Sequence, residues 1–357
     1  MHEHWLTVSF MEDRGSPGGR QQSLLRIATF NLESLDESPR LAQRIACLRQ
    51  QLMALEADIL CLQEVNAQKP DGGGPRRLLA LDALLAGSPY AGFRRVMTVT
   101  PGGDPADVHN LVILSRLPVE QVRQWRHEMI PPPLYRPATA LPPTLQPQPI
   151  EWDRPALQAE IALSDGRTLH VVNLHLRAPL AAPVAGQKLS ASRWSTTCGW
   201  AEGQLIAAIK RIGQAVETRL LVDRLLAADH DALVVVAGDL NADSHEMPVR
   251  VLLGEPEDTG NPALAHQRLR PAEAAVPAAQ RFSVRHRGRK LMLDHLLVSP
   301  ALHHCLASVA IANDGLLDEA DATAPPAGSF HAPIVAAFDL GGRLTQIRAG
   351  QAEPRDG

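Results

Sequence analysis

Short apolar runs recur along the chain, and most of them stop at a cluster of polar residues. "RIATFN" (Arg26–Asn31), "DILCLQEV" (Asp58–Val65), "NLVILSRLPV" (Asn110–Val119), "LVVVA" (Leu233–Ala237), "LMLDHLLV" (Leu291–Val298) and a run starting near Pro333 all have the length and composition of strands. "ALQAEIAL" and "TLHVVNLHL" read as a hairpin closed by Asp165-Gly166, a turn dipeptide. Between these runs the spacing becomes helical. Leu41, Ile45, Leu48, Leu52 and Leu55 predict an amphipathic helix over Pro39–Ala57. Leu205, Ile209, Ile212, Val216, Leu220 and Leu225 predict the apolar face of a long helix over Ala201–Ala228. Alternating strands and helices predict an α/β fold, a mixed-sheet sandwich with long surface loops.

Three stretches break the alternation: a Gly-rich turn at Asp71–Pro75, a proline-dense segment at Ile130–Ile150 and a small-residue loop at Arg177–Thr197. Strands of the same character resume after each one, so none reads as a domain linker. The expected organisation is one domain over residues 24–342, a disordered extension over 1–23 and a flexible tail over 343–357. The proline-dense segment cannot form a helix or a central strand and is expected to be a loose surface loop.

Composition narrows the setting. Apolar residues make up 45% of the 357 positions and charged ones 21%, enough for a full core. No apolar run is long enough to span a membrane, and the first residues lack the basic-then-apolar pattern of a secretory signal. Cys47, Cys61, Cys198 and Cys305 show no metal-site or disulfide spacing, which predicts a reducing, cytoplasmic setting and no structural zinc. The net charge of −4 means that any contact with nucleic acid must rest on a local patch or on bound cations. The dense basic cluster is Arg281–Lys290, directly before a strand.

The candidate chemistry lies at the strand ends: Asn31 and Glu33, Gln63 and Glu64, Asn173 and His175, Asp239 and Asn241, Asp294, and His331. Six apolar runs carrying such groups imply one shared rim. Carboxylates are hard oxygen ligands that suit Mg²⁺ or Mn²⁺. An Asp beside a His fixes the tautomer of the imidazole and raises its basicity. Neither a G-x-S-x-G elbow nor a Walker lysine occurs, which leaves activated water as the nucleophile.

"ATFNLES", "DILCLQEV", "ILSRLPV", "VVNLHL", "VVAGDLNAD", "LDHLLVS" and "SFHAPIVA" appear in the order of the motifs of the endonuclease/exonuclease/phosphatase superfamily, and the chain resembles that family from about Arg26 to Leu340. The family includes deoxyribonucleases, abasic-site endonucleases, sphingomyelinases and inositol-polyphosphate phosphatases. The resemblance implies a two-sheet α/β sandwich and Mg²⁺-dependent hydrolysis of a phosphate ester, with Mn²⁺ as a substitute. It implies Glu64 as the principal metal ligand, supported by Asn31 and Glu33, and Asn173 and His175 as contacts to the scissile phosphate. It further implies Asp239 as the carboxylate that orients or deprotonates the water and Asn241 as its support or a phosphate contact. Asp294 would partner His331, and His331 would stabilise the transition state. One motif departs. Ser329-Phe330-His331 carries phenylalanine where the family has aspartate, which removes a carboxylate from a second metal position.

A nuclease is the expected activity, with nucleic acid or another phosphate ester as partner and no obligate protein partner. A phosphatase or phospholipid-type phosphodiesterase is the alternative among enzymes, and a catalytically weak binding module of the same fold is the alternative outside them. Trp194 and Trp200 flank the junction before the long helix, where they pin a loop to the core or stack on a base.

Overall fold

A computed structural model describes residues 24–321 and 326–341 of the chain. The expected extension (1–23) and tail (343–357) lie outside the described residues, as does position 342.

Two six-stranded sheets face each other. The first contains β1 (Leu25–Leu35), β2 (Ile59–Val65), β3 (Arg94–Met97), β4 (Asn110–Ser115), β15 (Leu306–Ile311) and β16 (Ile334–Phe338), in the order β15-β16-β1-β2-β4-β3. The second contains β5 (Val119–Trp125), β8 (Ala156–Ala162), β9 (Thr168–His175), β10 (Leu233–Asp239), β11 (Arg270–Pro271) and β14 (Asp294–Val298), in the order β11-β14-β10-β9-β8-β5. Two small hairpins, β6 (Leu134–Tyr135) with β7 (Gln148–Pro149) and β12 (Val284–His286) with β13 (Arg289–Leu291), stand outside the sheets.

Strand alternation divides the core into layers. Ile27, Ile59, Cys61, Leu111 and Ile113 of the first sheet meet Leu169, Val171, Val235, Ala237 and Leu296 of the second. The opposite faces turn to helices. Ala28, Phe30, Leu60, Leu62 and Val112 pack under α1 (Leu41–Leu55) and α2 (Leu79–Leu85). Val172, Leu174, Val234, Val236 and Leu297 pack under α3 (Thr197–Ala228) and α4 (Met247–Leu253). The result is a helix–sheet–sheet–helix sandwich, the two-sheet architecture that the motif resemblance implies.

Three local expectations change. The run Asn110–Val119 is two strands in different sheets rather than one, and the edge strand β3, RRVM, lacks an apolar pattern that would announce it. The long helix buries a different face from the one predicted: Leu205 and Leu220 are exposed, whereas Glu202, Ile206, Ala207, Gln214, Glu217, Leu221 and Val222 are buried. The proline-dense segment lies at the surface as expected, with most of 141–149 exposed, but its first half and its two flanks are anchored to the long helix. Glu202 accepts hydrogen bonds from Tyr135 Oη, Ala138 N and from Thr139 through both N and Oγ1. Glu217 accepts from His127 N, Met129 N and Trp152 Nε1. A chain segment with few ladder bonds of its own thus has its backbone donors met by buried helix carboxylates.

Candidate active site

Register brings the polar strand ends together. Asp239 sits opposite His175 on one side and opposite Asp294 on the other, so three functional groups lie side by side on β9, β10 and β14. Across the sandwich, Asn31 pairs with Gln63, and Glu64 follows it. Gly238 has φ +142°, and a Cβ there would collide with the Leu174 carbonyl, so the residue before Asp239 must be glycine for β10 to lie against β9. Bulges interrupt the register of β1 after Asn31 and of β2 before Val65 and turn the strand ends toward the rim. Among the described residues eight non-glycine positions have positive φ, and Glu33, Ser34, Glu64, His109 and Asn241 of these surround this site. Such a concentration of left-handed backbone is characteristic of functional sites.

The Glu64 carboxylate is held by Ser34, whose N and Oγ donate to Oε2 at 2.9 and 3.0 Å, while Asn31 Nδ2 lies 3.3 Å from Oε1. The strained turn at Glu33-Ser34 is braced from α1: Arg44 donates to the carbonyls of Leu32, Glu33 and Ser34 at 2.5, 2.9 and 3.2 Å. Burial pushes Glu64 up, but the His109 and His331 charges and the hydrogen bonds from Asn31 and Ser34 outweigh it, leaving its pKa below the ordinary value. Burial raises Glu33, and the Glu64 charge adds to that rise. The Phe330 backbone N–H donates to the Glu33 carboxylate.

Asp239 is more deeply enclosed. Its oxygens accept from Asn31 Nδ2 at 2.9 Å, Asn241 N at 2.8 Å and Asn241 Nδ2 at 3.2 Å. His175 Nε2 is 3.5 Å away and His331 Nε2 4.0 Å. Burial and the Asp294 charge push the carboxyl up to about 7, against the pull of His331 and of its hydrogen bonds. His331 Nδ1 meets Asp294 Oδ2 at 2.7 Å. Burial lowers the His331 pKa, but the Asp294 and Asp239 charges carry it well above the ordinary histidine value. Ser329 Oγ accepts from His331 N and donates to the Asn31 carbonyl, which links the last motif to β1.

His175 has the opposite environment. Burial and the Arg154 charge hold its pKa well below the ordinary value. Arg154 Nη1 touches Nδ1, so that nitrogen accepts and the proton belongs on Nε2. Nε2 then points between Glu64 Oε1, 3.7 Å away, and Asp239.

Asn31, Glu33, Glu64, His175, Asp239, Asn241, Asp294 and His331 are therefore brought together. Asn173 is not part of this group. It is fully buried between the sheets, where Nδ2 donates to the Leu62 and Val112 carbonyls and Oδ1 accepts from Gln63. Its amide has no hydrogen left to donate. The motif reading misses Ser34, Arg44, His109 and Arg154. The last two come from loops with no periodicity, and only the charged "WDRP" and "DVHN" segments could have drawn notice. Trp194 packs in a small cluster with Ile150, Ala182 and Ile206, while Trp200 is exposed.

Among the described residues two triads offer ligand atoms close enough together for one ion: Glu64, His109 and His175, and Asp239, Asp294 and His331. Within the first, Glu64 and His109 fit a divalent cation, while His175 faces them through a protonated Nε2. The Glu64 oxygens face imidazole nitrogens at 3.7 and 3.8 Å, too far for hydrogen bonds, and buried His109 Nδ1 has no hydrogen-bond partner. Asp294 Oδ1 is likewise buried without a partner.

A model of the Endonuclease/Exonuclease/phosphatase family matches residues 28–315. No curated protein matches in sequence. The fold is similar to truncated TDP2 of Caenorhabditis elegans, at 16% identity and TM-score 0.53 over 89% of this chain and 98% of that one. It is also similar to a family protein of Bacteroides thetaiotaomicron (15% identity, TM-score 0.55, covering 89% and 96%). A mannosyl-6-phosphatase of the same organism is comparable (14%, TM-score 0.53, 87% and 98%).

Proposed function

Because the chain belongs to the endonuclease/exonuclease/phosphatase family, we propose that it is a divalent-metal-dependent phosphodiesterase, a nuclease, that cleaves by in-line attack of water. The observation that carries this reading is the juxtaposition of Asp239, raised to about 7, with His331, raised well above its ordinary value. One group is suited to take a proton near neutrality and the other to keep one.

Asp239 accepts the proton of the attacking water while Asn31 and Asn241 hold its carboxylate in place. His331, oriented by Asp294 at Nδ1, presents Nε2–H to the phosphoryl oxygen that gains charge. His175, with Arg154 fixing Nδ1 as acceptor, presents a second neutral donor from the other side. Glu64 would be the principal ligand of a divalent cation, with Asn31 and Glu33 supporting it, and the chemistry such a cation would supply is Lewis-acid stabilisation of phosphoryl charge.

The exposed Arg287 and Arg289 support a polyanionic substrate, because their hairpin is tied to the rim at its base, where Ser283 accepts from Asp294 N through Oγ and from Ala332 N through its carbonyl. A phosphatase is the second reading. It is favoured by Asp318, which takes the backbone N–H groups of Arg287 and Gly288 and adds negative charge beside the arginines.

The test is a metal-dependent screen of single- and double-stranded DNA, RNA, bis-p-nitrophenyl phosphate and p-nitrophenyl phosphate, with Glu64→Gln as control. Cleavage of nucleic acid and of the diester, lost in the variant, is expected. Turnover of monoesters alone establishes the second reading, and silence on every substrate removes both.

A further inference from the structure

Glu64 has a neighbour that no strand motif announces. His109 lies in the loop before β4 with φ +58°, and its backbone N–H is tied to Asn66 Oδ1 at 3.0 Å. This tether and the left-handed backbone aim the ring at Glu64, where Nδ1 stops 3.8 Å from Oε2. That nitrogen is shielded from solvent and has no hydrogen-bond partner. A ring nitrogen shielded from water and left unmet is destabilising, so a position held this tightly needs a partner. Donors from Ser34 already occupy Oε2. A cation set between the imidazole and the carboxylate satisfies the ring lone pair and takes Glu64 through Oε1, where the Asn31 Nδ2 donor stands back at 3.3 Å.

The histidine on the other side of Glu64 differs. His175 Nδ1 is taken by Arg154, so Nε2 carries hydrogen and has no lone pair to offer. His109 is therefore the imidazole free to ligate.

We infer that His109 Nδ1 joins Glu64 in a mixed imidazole–carboxylate metal centre that selects an imidazole-seeking divalent ion such as Co²⁺ or Zn²⁺ over Mg²⁺. The inference rests on the reading of Glu64 as the metal ligand. Its chemical basis is that Mg²⁺ prefers oxygen donors, whereas one nitrogen ligand shifts affinity toward later transition metals. The remaining coordination positions stay open to water and phosphate oxygens, as a catalytic centre requires. The all-oxygen Mg²⁺ site implied by the motif resemblance becomes a nitrogen-containing one.

The experiment titrates Co²⁺ into the full chain and follows its visible absorption, with Mg²⁺ affinity measured by calorimetry. It uses wild type, His109→Asn and Glu64→Gln. Asparagine tolerates left-handed backbone, so His109→Asn keeps the loop conformation, and equal melting temperatures without metal verify the fold. The expected result is that His109→Asn loses about tenfold or more in Co²⁺ affinity and changes the absorption spectrum, while Mg²⁺ affinity holds. Glu64→Gln weakens both ions. Unchanged Co²⁺ binding and spectrum in His109→Asn overturn the inference and leave Glu64 as ligand. Unchanged binding of both ions in Glu64→Gln overturns the metal assignment itself.

Discussion

β2 and β10 are two buried apolar strands that each run into a carboxylate at the same rim, Glu64 on one sheet and Asp239 on the other. The two acids part chemically because of what surrounds them. Glu64 keeps 18% of its side chain exposed, and its pKa falls below the ordinary value. Asp239 keeps 2% and rises to about 7. Both accept from the same Asn31 amide, at 3.3 and 2.9 Å, so the shared donor does not separate them. Depth of burial and the balance of charges do. The His109 and His331 charges outweigh the partial burial of Glu64, whereas the near-complete burial of Asp239, helped by the Asp294 charge, outweighs the pull of His331. Identical local sequence logic thus gives one group that stays ionised and open to a cation and another that exchanges a proton near neutrality.

The largest effects should come from exchanging each acid for its amide. Asp239→Asn is expected to lower kcat about 10²–10⁴-fold, because a general base is lost. Glu64→Gln is expected to cost a comparable amount at low metal, but rising metal concentration should restore part of that loss and none of the loss in Asp239→Asn. Steady-state kinetics across a metal series checks this, and equal rescue of both variants would erase the distinction between the two acids.

Next in size is Arg154→Met, which frees His175 Nδ1 and lets the ring change tautomer. Turnover should fall about 10–100-fold with metal affinity unchanged. A loss of metal affinity would move Arg154 to the Glu64 side of the comparison.

A smaller effect concerns the floor beneath Asp239. His295 is buried between Glu273 Oε1 at 2.7 Å and the Ala242 carbonyl at 2.9 Å. Burial lowers its pKa, but the Glu273 hydrogen bond and charge outweigh that and raise it above the ordinary 6.5. With the folded value above the unfolded one, the stability from this pair is complete below pH 6.5 and is lost as pH rises through the folded value. The wild-type melting temperature should therefore decline across that window more than that of His295→Phe, as thermal unfolding at a series of pH values would reveal. Metal affinity should be the same in both.

Ser34→Ala should produce the smallest change. It removes one hydroxyl bond from Glu64 and leaves the backbone N–H bond, for a loss of about 1 kcal/mol or less in metal binding by calorimetry. A larger loss would make the turn, rather than the carboxylate's charge, the dominant feature of the Glu64 side.

The contrast between the two acids also marks how far the sequence could be read. The sandwich follows from strand and helix periodicity, and the ordered motifs point to Glu64 and Asp239. Their opposite shifts do not follow, since burial and neighbouring charge arise only when two sheets meet. His109 and Arg154 belong to loops, where no period constrains position. The face of α3 was misread because hydrophobicity ranks Glu202, Gln214 and Glu217 as outward residues. Loop backbone N–H groups supply the partners that make burial of the two glutamates tolerable, and those partners are remote in sequence. Asn173 shows the converse: a residue legible as part of a motif whose bonding is spent inside the sandwich.

That asparagine acts as a crossbolt. It stands on β9, two residues before His175, yet it grips the backbone of β2 and β4 and the side chain just before Glu64. The two halves of the rim are consequently jaws of fixed gauge. Loops around them can lengthen, shorten or exchange to suit another substrate while the spacing of the working parts stays constant, and a change at residue 173 would be felt across every substrate alike.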